Sequence, residues 1–202
     1  MIEAEEKRSR GRPVTTDPAA VGLTALKLFH KLGIDRVTMD DVALQAGISR
    51  SNLFRVFPSK AAVVWGGMHR ITEELKLQLA NNPETSVIKL LHQSWVSAMQ
   101  LLDNSPDTVR LRLKLIGSSP EVYGWGHAQL EEARKVLEAA IAKLEEPNSV
   151  RPKMISSALI AVSMSVLTWW AETDDPRSVA QVLDDSFYDF EVIFAQVSQS
   201  GP

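Results

Sequence analysis

The chain has 202 residues, enough for one or two domains with a sizeable core, and its 45% hydrophobic and 23% charged content is ordinary for a globular protein. It has no cysteine, which excludes disulfides and thiolate metal sites and fits a reducing, cytoplasmic setting. The net charge of −3 hides an asymmetry: Lys7 to Lys60 carries +6, Ala61 onward −6 and the first six residues −3, so an anionic partner is expected for the N-terminal third alone.

Residues 1–14 include KRSRGRP and read as a flexible basic arm; the charged N-terminus lacks the apolar stretch of a signal peptide. Arg10 and Arg12 flank Gly11, a pattern suited to a narrow, negative minor groove and equally to a tail attracted without sequence preference. Asp17-Pro18 should open a first helix, with Val21, Ala25, Leu28, Phe29 and Leu32 at helical spacing and Gly33 as its stop. Thr38 can cap a second helix with Asp41 three residues on, a reduced capping box, while Ser49 and Ser59 can cap a third and fourth. The fourth is expected from Lys60 to Leu79, carrying Gly66-Gly67 within it. Two glycines inside a helix cost roughly 1 kcal/mol each against Ala, so they mark either close packing of a neighbour or a flexible joint.

Helices should follow on the stripes Val87 to Leu102, Leu130 to Leu144, Pro152 to Trp170 and Val179 to Val197. The apolar run Ala158–Ala171 is interrupted by Ser163, Ser165 and Thr168 and falls short of the roughly 20 residues of a membrane span, so it reads as a buried helix and no membrane partner is expected. Val109 to Leu115, VRLRLKL, alternates like a strand; with no second strand to pair it, it reads as helix. The expectation is an all-α chain: a three-helix helix-turn-helix domain over residues 15–75, then a helical ligand-binding and dimerisation domain over 76–202.

The chemistry is concentrated in TMDDVALQAGISRSNLFRVFPSK, Thr38 to Lys60. Ala43 is small enough for a helix–helix contact, Gly47 tolerates a left-handed turn, and Val42, Ile48, Leu53 and Phe57 can seat the second helix on the first. A helix from about Ser49 to Val56 would span about 12 Å and fit the DNA major groove end-first. Arg50, Ser51 and Asn52 would then face a duplex, Arg for guanine and Asn for adenine, and Lys60 a phosphate. Free N–H groups at helix starts offer further phosphate contacts. Arg55 suits a base contact or a solvated face equally.

Gly33 to Val63, GIDRVTMDDVALQAGISRSNLFRVFPSKAAV, resembles the DNA-binding domain of TetR-family transcriptional regulators. The resemblance implies an all-helical homodimer with one helix-turn-helix per subunit, binding a double-stranded, pseudo-palindromic operator and repressing until a small molecule releases it. It also implies that Thr38 touches phosphate, that Arg50, Ser51 and Asn52 lie on the recognition helix after Ser49, and that Lys60 meets the DNA backbone. Phe54 replaces the family's usual tyrosine and loses its phosphate hydrogen bond; Val56 stands where an aromatic residue or His is common. The FRVFPSK and VVWG runs are similar to actinobacterial members linked to the mycofactocin system.

A sensor needs an apolar cavity with a few polar groups. Trp65, Met68, Trp95, Met99, Leu113, Trp125, Met164 and Trp169 are candidates for its wall or for plain core packing. Arg110, Arg112 and Lys114 could hold a carboxylate or phosphate of an acyl-type effector, Arg112 being the one taken into the binding set, or could be solvated. Neither an enzyme nor a cofactor is expected. His30, His69, His92 and His127 show no metal-ligand spacing, and no phosphate loop or nucleophile elbow is present. A protein-binding helical scaffold is the alternative, opposed by the basic arm and the Ala43–Gly47 turn.

Overall fold

The computed structural model describes residues 17–146 and 148–199, with side chains as far as Asp189, and the basic arm with Arg10 and Arg12 lies outside them. The described residues form helices joined by turns: α1 (Pro18–Leu32), α2 (Met39–Gln45), α3 (Arg50–Val56), α4 (Lys60–Val64), α5 (Met68–Asn81), α6 (Val87–Met99), a 3-10 turn over Gln100–Asn104, α7 (Pro106–Gly117), α8 (Pro120–Gly124), α9 (His127–Ile141), α10 (Arg151–Glu172) and α11 (Val179–Gln199).

Local chemistry sets the limits of the first four. The Asp17 side chain accepts from Ala19 N–H, Pro18 occupies the first helical position, and Gly33 closes α1 at φ +88°. Thr38 and Asp41 make a full capping box on α2. Ser49 accepts from Asn52 N–H and Ser59 from Ala62 N–H, so each short helix has an orphan donor satisfied. After α2, Gly47 N–H donates to Leu44 C=O and Ile48 N–H to Ala43 C=O, the paired bonds of a Schellman turn, with Gly47 at φ +65°. Ala25, Leu26, Phe29, Val37, Val42, Leu53 and Val63 close the head's core with almost no exposed surface. Phe57 lies so close to Gly22 that a Cβ there would sit 3.3 Å from its ring.

The expected fourth helix, Lys60 to Leu79, is two helices. Trp65 ends α4, Gly66 follows, and Gly67 at φ +98° starts α5 in a new direction. A side chain on Gly67 would be strained, and a Cβ on Gly66 would come within 2.8 Å of the Ala62 carbonyl oxygen. Both glycines are therefore consumed by the break. α5 packs on α6 and α9, so it goes with the C-terminal helices although the head is expected to reach residue 75.

α7 is the hub of the larger part, touching α1, α4, α8 and α10. This explains the alternating VRLRLKL: Val109, Leu113, Leu115 and Ile116 are all buried because the helix is packed on more than one side. α10 is long and apolar enough to cross a membrane by length and composition alone; it packs one side on α7, α9 and α11. The two parts are fastened at Trp65, whose indole N–H donates to Val122 C=O on α8 at 2.9 Å and whose ring lies against Gly126 and edge-on to Tyr123.

A Cβ on Gly126 would fall 2.3 Å from the Trp65 ring. Gly126→Ala should therefore displace that ring and lower stability by about 1–3 kcal/mol. Urea unfolding monitored by tryptophan fluorescence reads the loss, and an unchanged midpoint would contradict this packing.

Candidate nucleic-acid interface and effector cavity

Leu53 is fully buried and Phe57 nearly so, which fixes α3 on the head and turns its other face outward. Ser49, Arg50, Ser51, Phe54 and Arg55 are exposed, and Asn52 is half-buried. Together they make one polar surface on a helix about 10 Å long at 1.5 Å per residue. Arg50 is held in place: its Nη1 donates to Asp40 Oδ2 of α2 at 3.1 Å, and its guanidinium lies 5.3 Å from the centre of the Phe54 ring. With side chains 69% and 58% exposed, Arg50 and Asp40 form an ion pair that adds little stability; what it does is orient the arginine. Phe54, 37% exposed, serves as the platform under that arginine.

Two expected phosphate contacts have partners within the chain. The Thr38 hydroxyl donates to Asp41 Oδ2 at 2.7 Å and accepts from Asp41 N–H. Lys60 Nζ donates to Ile34 C=O at 2.6 Å, tying α4 to the α1–α2 turn, with two ammonium donors left over. Sequence reasoning missed Asp40, although an acid ten residues before an arginine across a helix-turn-helix is a usable signal.

The second site is a cavity of about 310 Å³ between α4–α5, α6, α7 and α10. Trp65, Met68, Trp95, Met99, Arg112, Leu113 and Met164 all line it. Trp125 and Trp169 do not: Trp125 packs against the core from elsewhere, and Trp169 is on the outer side of α10, 46% exposed. Residues the sequence reading passed over include Arg70, Ile71, Thr108, Val109, Ile160, Ser163 and Leu167. Their helical spacing on α7 (109, 112, 113, 116) and α10 (160, 163, 164, 167) was the available signal, obscured on α7 by the two-residue alternation.

The three cations of α7 part company. Arg110 donates to the carbonyls of Trp170 and Asp175 at 2.8 Å each and stacks 3.8 Å over the Trp170 ring. Lys114 pairs with Asp174 at 2.8 Å. Both thus fasten the C-terminal end of α10, where carbonyls and helix dipole favour positive charge. Arg112 points the other way, into the cavity wall. Elsewhere, His69, Glu73 and Glu132 approach one another on the α5–α9 surface, but Lys76 already pairs with both carboxylates.

The Thr38 hydroxyl and N–H hold the exposed Asp41 carboxyl below its ordinary value of 3.8. A carboxylate so held stabilises the fold fully above that unfolded value, and the contribution fades as pH falls through the lower folded value. The difference in urea midpoint between the parent and Asp41→Asn should therefore be largest near neutral pH and shrink in acid; a difference that grows in acid would refute the capping role.

Comparison with known proteins adds to this geometry. Residues 23–64 match the profile of bacterial regulatory proteins of the tetR family, and residues 85–194, more than half of the chain, match the MftR C-terminal domain. A Mycobacterium tuberculosis protein named MftR, a mycofactocin biosynthesis transcriptional regulator, is 26% identical over 181 residues, covering 88% of this chain and 90% of its own. The fold is similar to that of the fatty acid degradation regulator FadR from Bacillus halodurans (TM-score 0.63, 13% identity, 85% of this chain and 92% of the other). It is also similar to Thermus thermophilus FadR, a TetR-family transcriptional repressor in complex with lauroyl-CoA (TM-score 0.53, 17% identity, 84% and 90%).

Proposed function

The chain belongs to the TetR family of bacterial regulatory proteins, with a C-terminal domain of the MftR kind, and from that premise we propose that it is an effector-released repressor that binds a pseudo-palindromic operator as a homodimer. The family is one of DNA-binding transcriptional regulators rather than enzymes, and such a regulator works in the cytoplasm beside its DNA. The observation that carries the reading is α3: a short helix anchored by Leu53 and Phe57, with Arg50, Ser51 and Asn52 turned outward and Arg50 braced by Asp40 and Phe54.

In this reading Arg50 contacts guanine and Asn52 adenine in the major groove. Lys60 meets a phosphate with the donors that Ile34 leaves free. The arm, with Arg10 and Arg12, is drawn to the duplex, either into the minor groove or as a tail without sequence preference. The head runs from about residue 15 to the Gly66-Gly67 turn, short of the expected residue 75 because α5 packs on α6 and α9, and the sensing and pairing part takes the helices from α5 onward. Pairing uses α10 and α11, whose outer sides expose Met154, Trp169 and Tyr188, apolar surface that a second copy would cover. Two heads about 34–36 Å apart would reach successive major grooves. The effector is a small apolar or acyl-type molecule in the 310 Å³ cavity.

DNA upstream of the protein's own gene, and of any neighbouring mycofactocin genes, is the first operator to try in a gel shift or fluorescence-anisotropy titration. Arg50→Ala should weaken specific binding by about 1–3 kcal/mol and relax the choice at one base pair. Lys60→Ala should weaken binding to all sequences and flatten the salt dependence. Failure of the parent protein to bind any DNA at low salt would defeat the reading.

A further inference from the structure

Arg112 is a partly buried cation with no hydrogen bond or ion pair among the described residues, and its Nε is fully shielded and unpartnered. Burial lowers its pKa from the ordinary guanidinium value, as expected where nothing compensates the charge. Leaving such a group unpaired is costly, and buried charges are ordinarily paired. The second shielded donor without a partner on the same cavity is Trp95 Nε1. Of the charged residues lining the cavity, Arg112 and Arg70 are both cations, and no Asp or Glu lines it. The remaining wall is largely apolar, from Met99 and Leu113 to Met164 and Leu167.

We propose that the effector is an amphiphilic anion, its apolar chain filling the cavity and its negatively charged head group held by Arg112 with the Trp95 indole N–H as second donor. The proposal rests on the regulator reading above and adds the charge of the effector and the residue that recognises it. A neutral ligand of the same shape would leave Arg112 as unpaired as before, whereas an anion supplies the missing counter-charge and a hydrogen-bond acceptor. Arg110 and Lys114 cannot take this part, because their donors hold the end of α10. The cavity, about 310 Å³, is at the small end of ligand pockets, which run from about 300 to 1,000 Å³, so it admits one short chain and not a bulky ring system. The head group is a carboxylate, as in a free fatty acid, or a phosphate ester at the end of the chain; Arg112 suits either.

The test uses the full-length protein and three probes with the same ten-carbon chain: decanoate, 1-decanol and decyl phosphate, titrated by calorimetry below their aggregation limits. The parent should bind decanoate or decyl phosphate about tenfold or more tightly than 1-decanol, the margin expected of a charge-assisted contact. Arg112→Gln should remove that margin while leaving the 1-decanol affinity in place, which shows that the cavity is still formed. An Arg112-dependent preference for decanoate identifies a carboxylate, and one confined to decyl phosphate identifies a phosphate ester. If the parent binds 1-decanol as tightly as both anions, or if Arg112→Gln keeps the preference, the proposal is overturned. Operator binding without probe is measured in parallel on both proteins. Intact operator binding with no anion preference sinks this inference alone, and absent operator binding by the parent sinks the regulator reading beneath it.

Discussion

The fastening of Trp65 to the α8–α9 corner is the contact on which the rest of the molecule depends. The chain has only a short turn, Trp65-Gly66-Gly67, in which to pass from the three-helix head to the bundle behind it. An indole sunk against Gly126, hydrogen-bonded to Val122 and edge-on to Tyr123, fixes the end of α4 to the bundle. The same ring forms part of the cavity wall. One side chain therefore takes part both in seating the head, which α1 and α4 also do through α7, and in shaping the cavity.

Arg112 completes that junction from the other side. Its Nη2 would be 3.4 Å from a Cβ on Gly66, and its Nη1 3.5 Å from one on Gly67, so the guanidinium lies over the bare backbone of the turn. The glycines do two jobs there. Gly67 supplies a positive φ that lets α5 leave in a new direction, and both leave the space the guanidinium fills. α7 can deliver this arginine because its neighbouring cations are committed to the end of α10, Arg110 through carbonyls and stacking and Lys114 through Asp174.

The head was legible in the sequence because its signals are local. A capping serine, threonine or aspartate and a glycine stop act within a few residues of themselves, so Asp17, Gly33, Thr38, Ser49 and Ser59 could be read without knowing what they pack against. The break at Gly66-Gly67 was only half legible. Two glycines announce an irregularity, but whether it is a close contact or a change of direction is decided by α7 and α8, far away in the chain. The cavity was legible in composition more than in place: seven of nine chosen residues line it, while Trp125 and Trp169 are the same residue type with different neighbours. The ties of Lys60 to Ile34 and of Arg50 to Asp40 join separate turns, and helical periodicity carries no information about them.

How a bound anion would reach the DNA follows from where Arg112 sits. A ligand shifts an equilibrium only by the difference in its affinity for the two states. An anion beside the guanidinium, which lies over Gly66 and Gly67 in the cavity wall, would favour those arrangements of the turn that keep the two charges together. The turn joins α4, which packs on α1, and α5, which packs on α6 and α9. On the proposed reading, operator and effector would therefore act on one element from opposite ends. Because coupling free energy is reciprocal, whatever the effector takes from operator affinity the operator must take from effector affinity.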